Sequence, residues 1–499
     1  MTNTFNSMNV VERIKEGLLE EPENWNVYPE PTQPMSVARS LIFDCFTAPG
    51  EQPLLVYWRG AFWRYTGTCW QEYTNKLGVR RPVYERLEQC IYINGKGLPA
   101  HWSPNRAKVT DVLEPLAILT ERDDTATPPF RMEGTRNTPE TSMIATENGL
   151  LNLETKQLED HDPSLFTTWS LPFAYDKNAE CPRWTKFLNE VLGHDPAGIE
   201  ALQQYAGVLV TGDTTRHKLL ALIGAKRGGK GTISYMLQQL VGTDNVATTT
   251  LRDLASDFGL SSLIGKSVTV LEDARGNAKV NSMATERLLN LVANDTVSVN
   301  RKNRDYWTGR LNTRLVLVSN EVPRLPDSSG AIQTRFLTIK MIRTFKPDEQ
   351  DPHLKDKLTA ELPGIFNWAL AGYEQLQKQG TFTEPASGAD FETTFSELSN
   401  PLQVFVDEGN CFEVTGKASD FMEMSKVLKH YHTWAEAEGR ASKNRESLAQ
   451  DLTAAYPEIQ YKNTNLDENG NYDKDAPRRR YLVGVKPIND FRQFVKTAA

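Results

Sequence analysis

Residues 217–240 read HKLLALIGAKRGGKGTISYMLQQL. Three textures follow one another there. HKLLALI is an apolar run of strand length. Gly224-Ala225-Lys226-Arg227-Gly228-Gly229-Lys230-Gly231-Thr232 is a glycine-rich turn. Behind it, Ile233, Met236, Leu237 and Leu240 recur at helical spacing. Strand, glycine loop and helix in this order form a phosphate-binding motif, and the flanking elements make it specific. Gly224, Gly228 and Gly229 let backbone N–H groups approach an anion without side-chain interference. The helix N-terminus adds partial positive charge. Lys230 is expected to reach the β- and γ-phosphates of ATP. The position after this lysine usually holds a Ser or Thr that ligates Mg2+. Here it is Gly231, and the hydroxyl arrives one step later at Thr232, the loop's remaining candidate metal ligand.

A nucleotide hydrolase needs acids near the metal, and a strand beside the phosphate loop is the expected carrier. SVTVLED (267–273) is a β-favouring run ending in two carboxylates. Both Glu272 and Asp273 are candidate metal ligands. Chain order assigns Glu272 to the metal and Asp273 to the attacking water, with the reverse assignment open. A third strand, Leu315 to Val318, ends in Ser319-Asn320, and Asn320 is placed to contact the γ-phosphate or the water. Arg335 opens a further strand and is the candidate arginine finger, with Arg324 as its rival. Between the second and third strands lies TVSVNRKNRDYWTGRLNTR (296–314). It carries Arg301, Lys302, Arg304, Arg310 and Arg314 against one acid, Asp305. Its alternation predicts a hairpin with Lys302 near the tip, suited to gripping a phosphate backbone.

The rest of the chain bounds these readings. The net charge of −8 is wrong for a protein that coats duplex DNA, so nucleic-acid contact has to be local. The five cysteines include no CxxC pair, which argues against a zinc ribbon and a disulfide framework. No apolar run reaches membrane-spanning length, and the polar, acidic start lacks signal-peptide features. A cytoplasmic location, in a bacterial cell or phage-infected host, is expected. Aromatics Tyr57, Trp58, Phe62, Trp63, Tyr65, Trp70 and Tyr73 alternate in a way that predicts short strands around a small core, with base stacking as the sharper alternative. The stretch 121–140 reads as a linker, and Asn148-Gly149 as a hairpin turn. Helix is expected from Pro182 to about Val210 and over 355–380. Helices followed by a hairpin over 400–490 outline a winged helix.

These segments resemble superfamily 3 helicases, and more narrowly the phage and plasmid primase-helicase family related to the poxvirus primase-helicase. The resemblance covers about residues 140–490. It rests on IATENGLLNLET, IGAKRGGKGT, LIGKSVTVLEDA, ERLLNLVANDTVSVNRKNRDYWTGRLNTRLVLVSNEVPRLPDSSGAIQTRFLTI and ELPGIFNWALAGYEQL. It implies an α/β fold with an AAA+-like P-loop ATPase core at 216–390. Around that core it implies a helical family-specific region at 141–215 and a C-terminal winged helix at 391–499, while residues 1–140, outside the resemblance, are expected to form an N-terminal α+β accessory or collar domain. It implies a homohexamer with ATP and Mg2+ between subunits, translocating 3′ to 5′ on single-stranded and forked DNA. It makes Lys302 the channel contact, flanked by Arg301 and Arg304, with Asn320 the sensor and Arg335 the finger. On the winged helix, Lys443, Asn444, Arg445 and Arg478-Arg479-Arg480 become candidates for duplex backbone. Such families often carry a primase domain, which needs a carboxylate pair on a strand. Asp123-Asp124 sits in a Thr/Pro segment instead, so no primase activity is expected, and a separate primase or origin-loading protein becomes a candidate partner. Two other readings use the same residues: a nucleotide-gated initiator or assembly ATPase that moves nothing, and a DNA-binding module with a degenerate ATP site.

Overall fold

The computed structural model describes residues 26–73, 77–123, 125–133, 136–272, 278–302, 306–323, 325, 331–388, 402, 405–406, 411–437, 442–466 and 472–488. Asp273, Arg304 and Arg324 lie outside them, as does Asp124. Contacts divide the chain into two units, Met1–Lys177 and Asn178–Ala499. The division falls within 141–215, the stretch expected as a helical family-specific region. No helix among the described residues is long and apolar enough to cross a membrane.

In the first unit, helices Pro34–Cys45, Arg80–Glu88 and Arg106–Thr120 bury Leu41, Leu87, Val112 and Leu116 in one core. Strands Leu55–Trp58, Ala61–Tyr65 and Trp70–Glu72 form an antiparallel sheet. Trp58, Trp63 and Trp70 turn inward, against Phe130 and Phe166. The Phe130 and Phe166 rings stack at 4.8 Å. Such pairs add about 0.5–1.5 kcal/mol beyond burial, so packing accounts for these tryptophans.

The linker expected over 121–140 is corrected. Phe130–Glu133 pairs with both Arg136–Pro139 and Leu165–Phe166. Phe130 and Met132 face inward while Arg131 reaches Asp162 at 2.9 Å, so the strand period of two runs through a segment of turn-like composition. The predicted hairpin forms, with its turn one residue earlier. Thr146 pairs with Gly149, leaving Glu147 and Asn148 as the loop. Asn148 is the residue that anchors it, bonding both the N–H and the carbonyl of Tyr175.

The second unit begins with α1 (Pro182–Leu192) and α2 (Pro196–Thr211). The continuous helix expected here is broken at Gly193 to Asp195, because Pro196 starts a helix that Asp195 caps. Asp195 is almost fully buried and accepts from the N–H groups of Gly198, Ala386 and Ser387. Then come β1 (Leu219–Gly224), α3 (Lys230–Val241), β2 (Val246–Thr249), β3 (Val268–Glu272) and α4 (Ala278–Val292). The hairpin β4 (Thr296–Val299) and β5 (Trp307–Arg310) leads into β6 (Arg314–Ser319) and β7 (Phe336–Met341). The helix expected over 355–380 is two, α5 (Leu354–Thr359) and α6 (Leu362–Gln379), parted at Ala360 and Glu361.

β1, β2, β3, β6 and β7 form one parallel sheet in the order β2-β3-β6-β1-β7. Its central strands are apolar on both faces, as a sheet covered on two sides requires. α2 and α6 pack so closely that a Cβ added at Gly207 would stand 2.5 Å from the Ala369 carbonyl oxygen.

The C-terminal part has its own core, built on Phe405, Phe412, Tyr431, Trp434 and Leu452. Strand β8 (Phe421–Glu423) precedes helices α7 (Met424–Ala437) and α8 (Arg445–Ala455), and the hairpin β9 (Gln460–Thr464) and β10 (Arg479–Val483) follows. β10 lies between β8 and β9.

Candidate functional site

Open parallel sheets bind ligands at the carboxyl ends of their strands, where the strand order reverses. Here that place is the edge shared by β1, β6 and β3. The register aligns it. Ile223, just before the glycine loop, lies opposite Ser319. Val318, one residue back on β6, lies opposite Glu272. The loop, Ser319-Asn320 and Glu272 thus emerge side by side. The strand that carries Glu272 is not the neighbour of the loop strand, since β6 lies between β1 and β3. That intervening strand delivers Asn320 between the loop and the acid.

The loop itself is tightly closed. Gly224 has φ +150°, and a Cβ there would stand 2.2 Å from the Met341 carbonyl oxygen of β7. Gly229, the residue before α3, has φ +94° and sits against Val191 of α1. Gly231 differs, with nothing within 4 Å of an added Cβ. The absence of a hydroxyl at this position has no steric cause. Lys230 is the first residue of α3 and only 6% exposed. Its Nζ donates to the carbonyls of Gly224 and Ala225, both at 2.6 Å. Burial lowers its pKa, which an incoming anion would offset. The exposed Glu272 carboxylate and the half-buried Thr232 hydroxyl supply hard oxygen donors of the kind Mg2+ takes.

The sequence did not disclose a strap that closes over the loop. After β7 the Phe345 N–H donates to the Arg227 carbonyl at 3.1 Å. Arg343 reaches the Glu190 carbonyl of α1 and pairs with Glu349. The strap arrives through the pairing of β7 with β1, a long-range contact with no local signal.

The opposite edge holds the remaining candidates. Arg335, half-buried, precedes Phe336, which lies opposite Leu219 at the start of β1. Five residue steps along β1 separate that position from Gly224, about 16 Å. Arg335 is therefore not brought to its own chain's loop. The hairpin β4–β5 enters β6 at this same edge. Lys302 is exposed in its connection and Arg301 is half-buried, while Val299 and Leu311 root it in the core. Arg314, counted with the basic island in sequence, is instead buried. It donates to the carbonyls of Leu209 and Gly212, at and just beyond the C-terminus of α2, and to that of Asn312 two residues before it. Burial lowers its pKa to about 10.

The basic candidates of the C-terminal part are mostly engaged within the chain. Asn444 caps α8 through the Ser447 N–H. Lys443 pairs with Asp451, Arg479 with Glu423 and Arg480 with Glu446. Arg445 and Arg478 are exposed.

Residues 55–193 match the family model described as D5 N terminal like. Residues 222–335, from β1 to Arg335, match the model of a family of unknown function, DUF5906. Among solved structures, the chain is similar to the apo structure of the NrS-1 C terminal region (305-718), with a TM-score of 0.51 and 12% identity. That alignment covers 91% of this chain and 99% of the other. A second, the A form apo structure of the NrS-1 C terminal region, aligns with a TM-score of 0.46 and 14% identity over 86% of this chain and 96% of that one. At these identities the first likeness concerns the fold.

Proposed function

We propose that this chain is an ATP-driven DNA helicase of phage or plasmid replication, with an AAA+-like P-loop core and a C-terminal winged helix. The observation that carries the proposal is the register that sets the glycine loop, Asn320 and Glu272 along one edge of the parallel sheet. The D5 N terminal-like match supports it, since that model describes the N-terminal family of phage and plasmid primase-helicases.

In this reading, the loop N–H groups and the start of α3 hold the phosphates of ATP. Lys230 exchanges its carbonyl partners for phosphate oxygens, regaining through charge what burial costs it. Thr232 and one of Glu272 and Asp273 are the residues that would hold Mg2+, which when bound draws charge from the β- and γ-phosphates. Whichever acid is left uncoordinated orients the attacking water, and Asn320 senses the γ-phosphate. Arg335, remote from its own loop, serves a neighbouring subunit's phosphate and so requires a ring, taken here as a hexamer. Lys302 and Arg301 on the hairpin, with Arg304, grip single-stranded DNA, and hydrolysis moves the strand 3′ to 5′. A separate primase or loader would complete the system.

The test is ATP hydrolysis with and without single-stranded DNA, on protein whose particle mass is measured. Several-fold stimulation on a hexamer-sized particle is expected. Hydrolysis indifferent to DNA would replace the motor with a nucleotide-gated assembly switch.

A further inference from the structure

A cleft of about 560 Å³ opens beside the glycine loop. Arg227, Gly229 and Thr232 of the loop side form one wall. Phe187 of α1 forms another, and the strap after β7 supplies Phe345 and Leu354. Its size falls in the range of small-molecule and cofactor pockets, a few hundred to about 1,000 Å³.

The lining is apolar at its rings and cationic around them. Arg183, Lys186, Arg227, Lys355 and Lys357 face Glu190, Glu349 and Asp351. The acids are already answered. Glu349 takes Arg343 and the Lys346 N–H, Asp351 takes Lys357 and the His353 N–H, and Glu190 lies 3.9 Å from Lys186. The surplus cations suit a ligand whose anionic end lies against the loop side of the cleft. Gln350 donates to the Phe345 carbonyl, and a carboxamide offers both a donor and an acceptor, so it favours no single base edge. Phe345 is held in place. Its N–H is tied to Arg227 of the loop, and the Arg343 guanidinium covers one ring face at 4.3 Å.

The geometry points to this cleft as the seat of the base and ribose of a nucleoside triphosphate whose phosphates lie on the loop. Phe345 is the ring on which the base rests, and selection is by shape rather than by hydrogen bonding. Purine triphosphates are accepted alike. The inference rests on the phosphate-loop reading above and adds the nucleoside half to it. The stack contributes binding that does not read the hydrogen-bonding edge of the base, because every base presents a π-face.

The experiment is calorimetric titration of the full chain with ATP, GTP and inorganic tripolyphosphate, repeated on Phe345→Ala and Phe345→Tyr. Tripolyphosphate should bind wild type and Phe345→Ala equally. ATP and GTP should bind wild type within tenfold of each other, and both should weaken tenfold or more in Phe345→Ala. Phe345→Tyr, which keeps the ring, should stay within threefold of wild type. Unchanged ATP affinity in Phe345→Ala overturns the seat. A preference for ATP over GTP beyond a hundredfold overturns selection by shape. Should Phe345→Ala not fold, wild type decides alone, since ATP that binds no tighter than tripolyphosphate leaves nothing for the cleft to hold. Failure of tripolyphosphate to bind wild type would remove the phosphate-loop reading and this inference with it.

Discussion

The carboxyl and amino edges of the central sheet carry cations of the same kinds and treat them differently. At the carboxyl edge, Lys230 is nearly buried and satisfied by the carbonyls of its own loop. At the amino edge, Arg314 is buried against the end of α2, whereas Lys302, twelve residues before it, stands in solvent. A cation's role follows from what backbone surrounds it. Closed loop carbonyls make a place that an anion can take over. Carbonyls at a helix terminus make a permanent seat. An open hairpin leaves charge available for a partner.

The largest test of this contrast joins the two edges. Arg335→Ala and Lys230→Ala should each lower ATP hydrolysis by roughly a thousandfold, the scale of a lost arginine finger. Mixed in one particle, the two variants should recover measurable turnover, because some interfaces then combine an intact loop with an intact finger. Absence of recovery in rings shown to be mixed would confine Arg335 to a structural role.

Next come the two packed positions. Gly224→Ala meets both a positive φ and the Met341 carbonyl, so it should cost about 3 kcal/mol in urea unfolding and abolish nucleotide binding. Arg314→Met leaves carbonyls at the end of α2 without a donor and should cost about 3 kcal/mol as well, but leave the salt dependence of DNA binding unchanged. A salt slope that falls in Arg314→Met would return this arginine to the nucleic-acid surface.

The two edges were also unequally legible. The loop was readable because its requirements are local: the glycine spacing, the apolar run before it and the helical spacing behind it all sit within one stretch of chain. Glu272 and Asn320 were readable as strand ends, but their order across the sheet was not, because strand order is a long-range choice. At the amino edge, Arg310 and Arg314 look alike in sequence. Only the arrival of the α2 terminus, about a hundred residues earlier in the chain, separates them. The segment over 121–140 misled for a related reason. Its Pro and Thr signal a turn, yet Phe130 and Met132 find a partner strand at Leu165 and Phe166. Asn148-Gly149 predicted the correct hairpin and the wrong turn pair, because Gly149 is needed where a Cβ would meet the Glu159 carbonyl at 2.4 Å.

Lys302→Ala tests the open end of the contrast. The side chain is exposed, so unfolding should shift by less than about 0.5 kcal/mol. Single-stranded DNA binding should weaken, and the slope of log affinity against log salt should fall by about 0.7, one phosphate contact's worth. Lost stability with an unchanged slope would mean that the hairpin holds the fold rather than a strand of DNA.

The smallest effect belongs to Gly231. Its surroundings are empty and its φ is ordinary, so Gly231→Ala and Gly231→Ser should both fold, with Ala gaining up to about 1 kcal/mol from helix propensity in α3. The two variants separate packing from chemistry. Only Ser places a hydroxyl directly after Lys230. If Thr232 is a displaced magnesium ligand, Gly231→Ser should lower the Mg2+ concentration at half-maximal hydrolysis several-fold, and Gly231→Ala should leave it unchanged. Equal behaviour of the two would mean that the shifted hydroxyl already meets the metal's need. The open space at Gly231 would then be a tolerance of the loop rather than a missing ligand.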